Sequence, residues 1–227
     1  MILDVFTLFP EHFEWFRGQR HVANALTAGN ELRLFNYRDT TPLGSGQVDD
    51  SPYGGGAGMV MRVDVIDAAL EAAYGEDDRP RTIALTAAGR QFDEDVAVEL
   101  GSEPHVALLC GRYEGFDERV VEYLADEAIS IGPYVVAGGE LPAMIVADAV
   151  LRKLPGALGD AESAAEESFS EALEGAPEYP HYTRPPEHRG WTVPEVLLSG
   201  DHAKVREWRR ARSRERGERD GARRAGP

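Results

Sequence analysis

What this chain lacks narrows its class before any motif is read. It has one cysteine, Cys110, set inside the apolar run HVALLC. A disulfide framework and a cysteine-based zinc site are therefore excluded, and the thiol reads as a small buried hydrophobe. Lysine is scarce: Lys153 and Lys204 are the only two among 24 basic residues, which face 40 Asp and Glu for a formal net charge of −16. No stretch approaches the roughly 18 consecutive apolar residues of a membrane span. The opening MILDVFTLFPEHF has neither the charged leader nor the small-residue cleavage site of a signal peptide. No membrane partner and a cytoplasmic location are the resulting expectations. No internal repeat is visible.

So acidic a chain is a poor general binder of nucleic acid, because phosphate contacts need local positive potential. The distribution changes that reading. Acidic residues are spread over the first 180 positions, whereas Lys204 to Arg224 holds ten Lys/Arg against four Asp/Glu. This is a basic patch. On charge alone it fits a solvated C-terminal helix as well as an RNA contact.

With 227 residues and 42% hydrophobic content, the chain can bury a core in one medium domain with a smaller appendage. Apolar runs alternate with helix-period segments. ILDVFTLF, ELRLFNY, TIALTA, HVALLC and AISIGPYVVAG read as strands; HFEWF, HVANALTAG, VDVIDAALEAAY, DEDVAVEL, FDERVVEYL and ELPAMIVADAVLRKL read as helices. That rhythm predicts an α/β fold with a mostly parallel sheet. Between Arg38 and Gly58 the pattern fails, and the Gly-, Pro- and Asp-rich segment reads as a partly ordered functional loop. After Pro155, GALGDAESAAEESFSEALEGAPE is small and acidic, a flexible linker. PHYTRPPEHRGW and a helix over HAKVREWRRARSRER, with Ser199, Gly200 and Asp201 as candidate caps, then form a small C-terminal domain. The expected boundaries are 1–158, 159–176 and 177–227.

Parallel sheets bind ligands at the carboxyl ends of their strands, here the loops after TIALTA, HVALLC and ISIGPYVVAG. Two of these loops, CGRYEG and GPYVVAGGELP, carry glycines that let backbone approach a ligand closely. SPYGGGAGMVM places four glycines in the five positions between Tyr53 and Met59. It is neither a P-loop nor a dinucleotide fingerprint, since no Lys-Ser/Thr pair follows and no strand precedes it.

Taken in order, SPYGGGAGM, CGRYEGFDER, ISIGPYVVAGGELP and VLLSGDHAKVREWR, with LDVFTLFPEHF and HYTRP, resemble the bacterial tRNA (guanine-N1)-methyltransferases over nearly the whole chain. The resemblance implies a SPOUT-class fold with a deep trefoil knot, a rare exception to unknotted topology. It implies transfer of a methyl group from S-adenosylmethionine to N1 of the guanosine at position 37 of tRNA, with magnesium assisting. The donor is expected among Leu85 and Ala87; Gly111, Tyr113 and Glu114; and Ile131, Gly132, Tyr134, Val136, Gly138 and Gly139. Tyr53, Gly55, His181, Arg184, Ser199 and His202 are expected to meet tRNA.

Guanine N1 must lose a proton to attack, which calls for a base and for stabilisation of charge on the adjacent carbonyl oxygen. Carried over through RKLPGALG, the family's arginine falls on Arg152 and its linker aspartate on Glu167. Glutamate is about as acidic as aspartate, but its extra methylene moves the oxygens by about 1 Å. Ser45 and Gly46 replace a basic His-Arg pair, Ala87 a proline, and Pro133 an aspartate. The resemblance also implies a homodimer whose active site joins the donor pocket of one subunit to the linker carboxylate of the other. The departures leave open a SPOUT RNA methyltransferase with a different target, or a weakened paralogue that binds RNA or S-adenosylmethionine. No metal-ligating residues are assigned.

Overall fold

The computed structural model describes residues 1–75, 78–158 and 167–224. The chain divides into two compact units, Met1–Gly159 and Asp160–Pro227. The first is built on a five-stranded sheet of β1 (Ile2–Thr7), β2 (Glu31–Asn36), β5 (Arg81–Gln91), β6 (His105–Cys110) and β7 (Glu127–Ser130), in the order β2-β1-β6-β5-β7. Every neighbouring pair is parallel. The short strands β3 (Asp49–Asp50) and β4 (Val60–Met61) pair separately and antiparallel.

The near-continuous apolar runs of the strands follow from burial on both faces. Successive side chains alternate between faces. Thus Leu3, Val5, Val106, Leu108 and Cys110 pack with α2 (Arg20–Thr27), α5 (Glu94–Gly101) and α7 (Glu140–Leu151). Phe6, Ala107 and Leu109 pack instead with α4 (Val63–Tyr74) and α6 (Glu118–Tyr123). Asp93 caps α5 by accepting from the Val96 amide at 3.1 Å, which fixes where the chain turns into that helix.

A buried carboxylate sits among these apolar strands. Asp4 accepts from Arg33 through Nε and Nη2 at 2.7 Å each, lies 2.7 Å from His105 Nε2, and accepts from the Tyr74 hydroxyl. Burial by itself raises the Asp4 pKa, but the hydrogen bonds from Arg33, Tyr74 and His105 outweigh it and hold the carboxyl below its usual range.

Several expectations are corrected. The strand read over AISIGPYVVAG ends at Ser130, because Gly132 takes φ +152° and turns the chain out of the sheet. The helix read as far as Leu154 ends at Leu151: the amides of Lys153 and Leu154 already bond three residues back, and the residue before Pro155 is disfavoured in helix. HFEWF divides into a 3₁₀ turn, Pro10–Phe13, and the single-turn α1 (Glu14–Arg17). The 38–58 segment holds part of α3 (Tyr37–Thr40), a 3₁₀ turn Gly44–Gly46 and β3.

In the second unit, the helix expected over 202–216 runs from His202 to Arg224. Asp201 caps it through the amides of Ala203 and Lys204. Its inner side is tied to the segment 176–179: Ser213 donates to the Pro177 carbonyl at 2.8 Å, Arg216 to that of Glu178 at 2.6 Å, and Arg209 lies 4.7 Å over the Tyr179 ring. Of the segment read as a linker, residues 159–166 lie outside the described residues, while Glu171–Leu173 forms a 3₁₀ turn.

Because folding lowers the Asp4 pKa, its contribution is fully present above the unfolded-state pKa and is lost as pH falls through the folded one. Asp4→Ala is expected to lower unfolding free energy near neutral pH by about 3 kcal/mol and to flatten the acid side of the stability curve. Urea denaturation from neutral to acid pH measures both, and parallel curves for the two proteins would remove Asp4 from the acid response.

Candidate functional site

The carboxyl ends of β6, β5 and β7, three neighbours in the sheet, open into one cleft of about 420 Å³. That size is usual for a small-molecule site. All eleven residues expected to hold the methyl donor line it, together with Arg112, Glu118 and Pro142.

The first wall arises from an irregularity in pairing. Leu85 and Arg90 of β5 both pair with Ile129 of β7, so Thr86 to Gly89 loop out between them. Gly89 makes the return feasible, since a Cβ there would stand 2.5 Å from the Ala128 carbonyl carbon. Leu85 and Ala87 thereby face the cleft from β5.

A turn after β6 gives the second wall. Cys110 is sealed in the sheet, and burial pushes its thiol pKa up. Tyr113 takes φ +60°. The Glu114 amide donates to the Met59 carbonyl at 2.9 Å, and that of Met61 to the Gly115 carbonyl at 2.9 Å. The glycine-rich segment is thus laced to the cleft loop. Its link is close: a Cβ on Gly58 would stand 2.3 Å from a Glu114 carboxylate oxygen.

The third wall is the segment from Ile131 to Gly139, which folds back on the second. The Gly139 amide donates to the Gly111 carbonyl at 2.8 Å, and Arg112 donates to the Ala137 carbonyl at 3.1 Å. Tyr134 packs over Gly132, and its hydroxyl donates to the Ile131 carbonyl at 3.3 Å.

Two residues missed from the sequence hold these walls together. Glu140, buried at the first turn of α7, accepts from the Thr7 hydroxyl at 2.9 Å and lies 3.7 Å from Arg112 Nε. The Arg112 guanidinium stacks 4.4 Å above the Phe9 ring. A signal existed: an acidic residue opening a helix after a glycine pair, and a lone arginine inside CGRYEG.

Arg152 sits at the C-cap of α7 in the first unit, and Glu167 belongs to the second, where its carbonyl accepts from the Ser170 amide. Glu166, the neighbouring carboxylate that is the next candidate for the base, lies outside the described residues. Tyr53 is 99% exposed beside Gly55, which takes φ +79°. His181 lies 2.8 Å from Glu178. Arg184 lines a second cavity of about 460 Å³ with Tyr182, Val193 and Leu198. Ser199 accepts from the Asp201 amide, and the exposed His202 opens the long helix.

A family model described as tRNA (Guanine-1)-methyltransferase TrmD matches residues 1–224. The tRNA (guanine-N(1)-)-methyltransferase of Brevibacillus brevis is 48% identical over 212 residues, covering 92% of this chain and 85% of that protein. Those of Dehalococcoides mccartyi and Geobacter metallireducens are 48% and 47% identical over 216 residues, covering 94% and 95% of this chain and 86% and 87% of theirs.

The close approach at Gly139 yields a test. A Cβ there would lie 2.6 Å from Cys110 Cα and 2.8 Å from the Gly111 nitrogen, both backbone atoms, whereas one on Gly101 meets nothing within 4 Å. Gly139→Ala is expected to cost about 1–3 kcal/mol of stability and Gly101→Ala under about 0.5 kcal/mol. Equal costs in urea denaturation would refute backbone crowding as the cause.

Proposed function

The chain belongs to the tRNA (guanine-1)-methyltransferase family, whose members methylate N1 of guanine in tRNA, and from that premise we propose that its target is the guanosine at position 37, immediately 3′ of the anticodon. The observation that supports methyl transfer is the cleft at the ends of β5, β6 and β7, where residues of the separate loop motifs meet; position 37 rests on the resemblance of those motifs to the family.

The cleft fits S-adenosylmethionine. Leu85, Ile131 and Val136 offer apolar surface for an adenine ring, and loop backbone offers donors and acceptors for its edge. Glycines at 132, 138 and 139 keep Cβ atoms out of space that neighbouring atoms already crowd. Glu114 and Glu118 bring negative charge to a ligand bearing a sulfonium and an ammonium group. Once bound, the donor supplies an electrophilic methyl carbon on sulfur.

The protein's own task is proton and charge management. Glu167 accepts the N1 proton of guanine as the N1–methyl bond forms and the sulfur–methyl bond breaks, leaving the neutral thioether. Arg152 stabilises the negative charge that grows on the guanine carbonyl oxygen. Among the described residues, no group of three or more His, Cys, Asp or Glu is arranged to hold a metal ion. The magnesium implied by the resemblance therefore has no cage built from those residues.

We assign residues 1–158 to donor binding, 159–176 to the linker and 177–227 to tRNA binding. A deep trefoil knot is our reading of the first unit's topology; the looped-out Thr86–Gly89 segment and the pressing of Gly139 onto Cys110 support it. A homodimer with a composite active site is supported by an exposed apolar stripe, with Leu141 62% and Ile145 45% exposed one turn apart on α7, and Val135 89% exposed nearby in sequence. No helix among the described residues is long and apolar enough to cross a membrane. Contact with tRNA by the long helix is supported by Arg206, Arg210 and Arg214, exposed at four-residue intervals and so on one helix face.

Labelled methyl transfer to unmodified tRNA tests the target. Product is expected with guanosine at position 37, mapped to N1, and none with adenosine there; equal labelling of both would overturn position 37. Glu167→Ala is expected to lower turnover by at least about 100-fold with donor binding retained, and unchanged turnover would remove Glu167 from the mechanism.

Replacing Arg206, Arg210 and Arg214 together by alanine is expected to weaken tRNA binding. It should also reduce the slope of log affinity against log salt by roughly 0.7–0.9 for each phosphate that is no longer neutralised. An unchanged slope would mean that this face does not touch RNA.

A further inference from the structure

Arg152 occupies a weak point of the fold. It is the C-cap of α7, with φ −64° and ψ −19°, and the carbonyls of a helix's last turn lack the amide donors that hold its interior. A long side chain on a fraying turn loses the orientation that charge stabilisation demands. Something else must hold the turn.

The polar side of α2 does so on both sides of Arg152. One turn upstream, His21 Nε2 lies 2.7 Å from Asp148 Oδ1, and the Asp148 carbonyl accepts the Arg152 amide at 3.1 Å. Five residues downstream, Asn24 Nδ2 donates to the Ala157 carbonyl at 3.1 Å. His21 and Asn24 are three apart on one helix and project from the same side. Gly156 lies against the end of α2, where a Cβ would stand 3.0 Å from the Ala28 Cβ. The adjacent Lys153 is tied to Glu94 of α5. The buried Val22 and Ala25 fasten α2 itself to the core, so these bonds attach the turn to a fixed element.

We propose that His21 and Asn24 are positioning residues for the reaction: they clamp the segment 148–157 so that the Arg152 side chain is presented in one orientation. The clamp acts through Arg152 and touches neither substrate. It rests on the reading of Arg152 given above.

The test compares His21→Ala, Asn24→Ala and Asp148→Asn in the full-length protein, using labelled S-adenosylmethionine and unmodified tRNA with guanosine at position 37. Each is expected to lower kcat by about tenfold, with KM for the donor and the thermal midpoint nearly unchanged. His21→Gln, which retains a donor toward Asp148, should restore much of the loss. In an Arg152→Lys background the same changes should have little further effect, because the group being positioned is already altered. Losses that multiply fully in that background, or a kcat that follows the thermal midpoint, would overturn the clamp. If Arg152→Lys is severely impaired while the three variants retain full kcat, only the clamp falls. If Arg152→Lys turns over normally, the role of Arg152 falls and the clamp with it.

Discussion

The backbone contact between Gly139 and the Cys110–Gly111 step is the constraint on which the site depends. Three parallel strands can end at one edge of a sheet and still leave their loops independent. Here the amide of Gly139 reaches the carbonyl of Gly111 at 2.8 Å, so the loop after β7 lies directly on the end of β6. Arg112 then reaches the Ala137 carbonyl, and Glu140 is set beside Thr7 at the end of β1. Remove the close approach and the cleft has walls but no fixed spacing between them.

Charge is handled differently in different places. Among the described residues the buried carboxylates are Asp4 and Glu140, and each is satisfied, Asp4 by three donors and Glu140 by a hydroxyl and a guanidinium. Such groups are costly to strip of their partners and contribute to a single arrangement. The excess negative charge lies elsewhere, on the surface, where it repels phosphate at long range. The Arg-rich helix answers it locally, with Arg209 and Arg216 engaged internally and Arg206, Arg210 and Arg214 turned outward.

Much of the first unit was legible in the sequence because its strands are continuous apolar runs and its helices keep a clear period. HVALLC and VDVIDAALEAAY gave β6 and α4 at their observed limits. AISIGPYVVAG misled for a physical reason: Val135 and Val136 look like strand residues, yet Gly132 had already turned the chain, and the valines line the cleft. Periodicity also carries no sign of a loop-out such as Thr86–Gly89, because the residues before and after it both pair with β7 and the shift in register leaves no mark on the sequence. Arg112 and Glu140 gave only a weak signal in the sequence, since their roles exist only once β1, β6 and α7 are brought together. The cleft was legible through the motifs whose loops line it, whereas the contacts of His21 and Asn24 with the end of α7 were not, because these residues occur in an ordinary amphipathic stretch.

The lone thiol at Cys110 has a practical consequence. It is wholly enclosed at the end of β6, with burial disfavouring its reactive thiolate form. The folded protein is therefore unreactive toward maleimides and other sulfhydryl reagents, and slow modification reports opening of the structure around the end of β6. A single cysteine placed on the surface can then carry a dye or spin label with no competing background, which makes this chain a ready scaffold for following motion by fluorescence without first deleting a native residue.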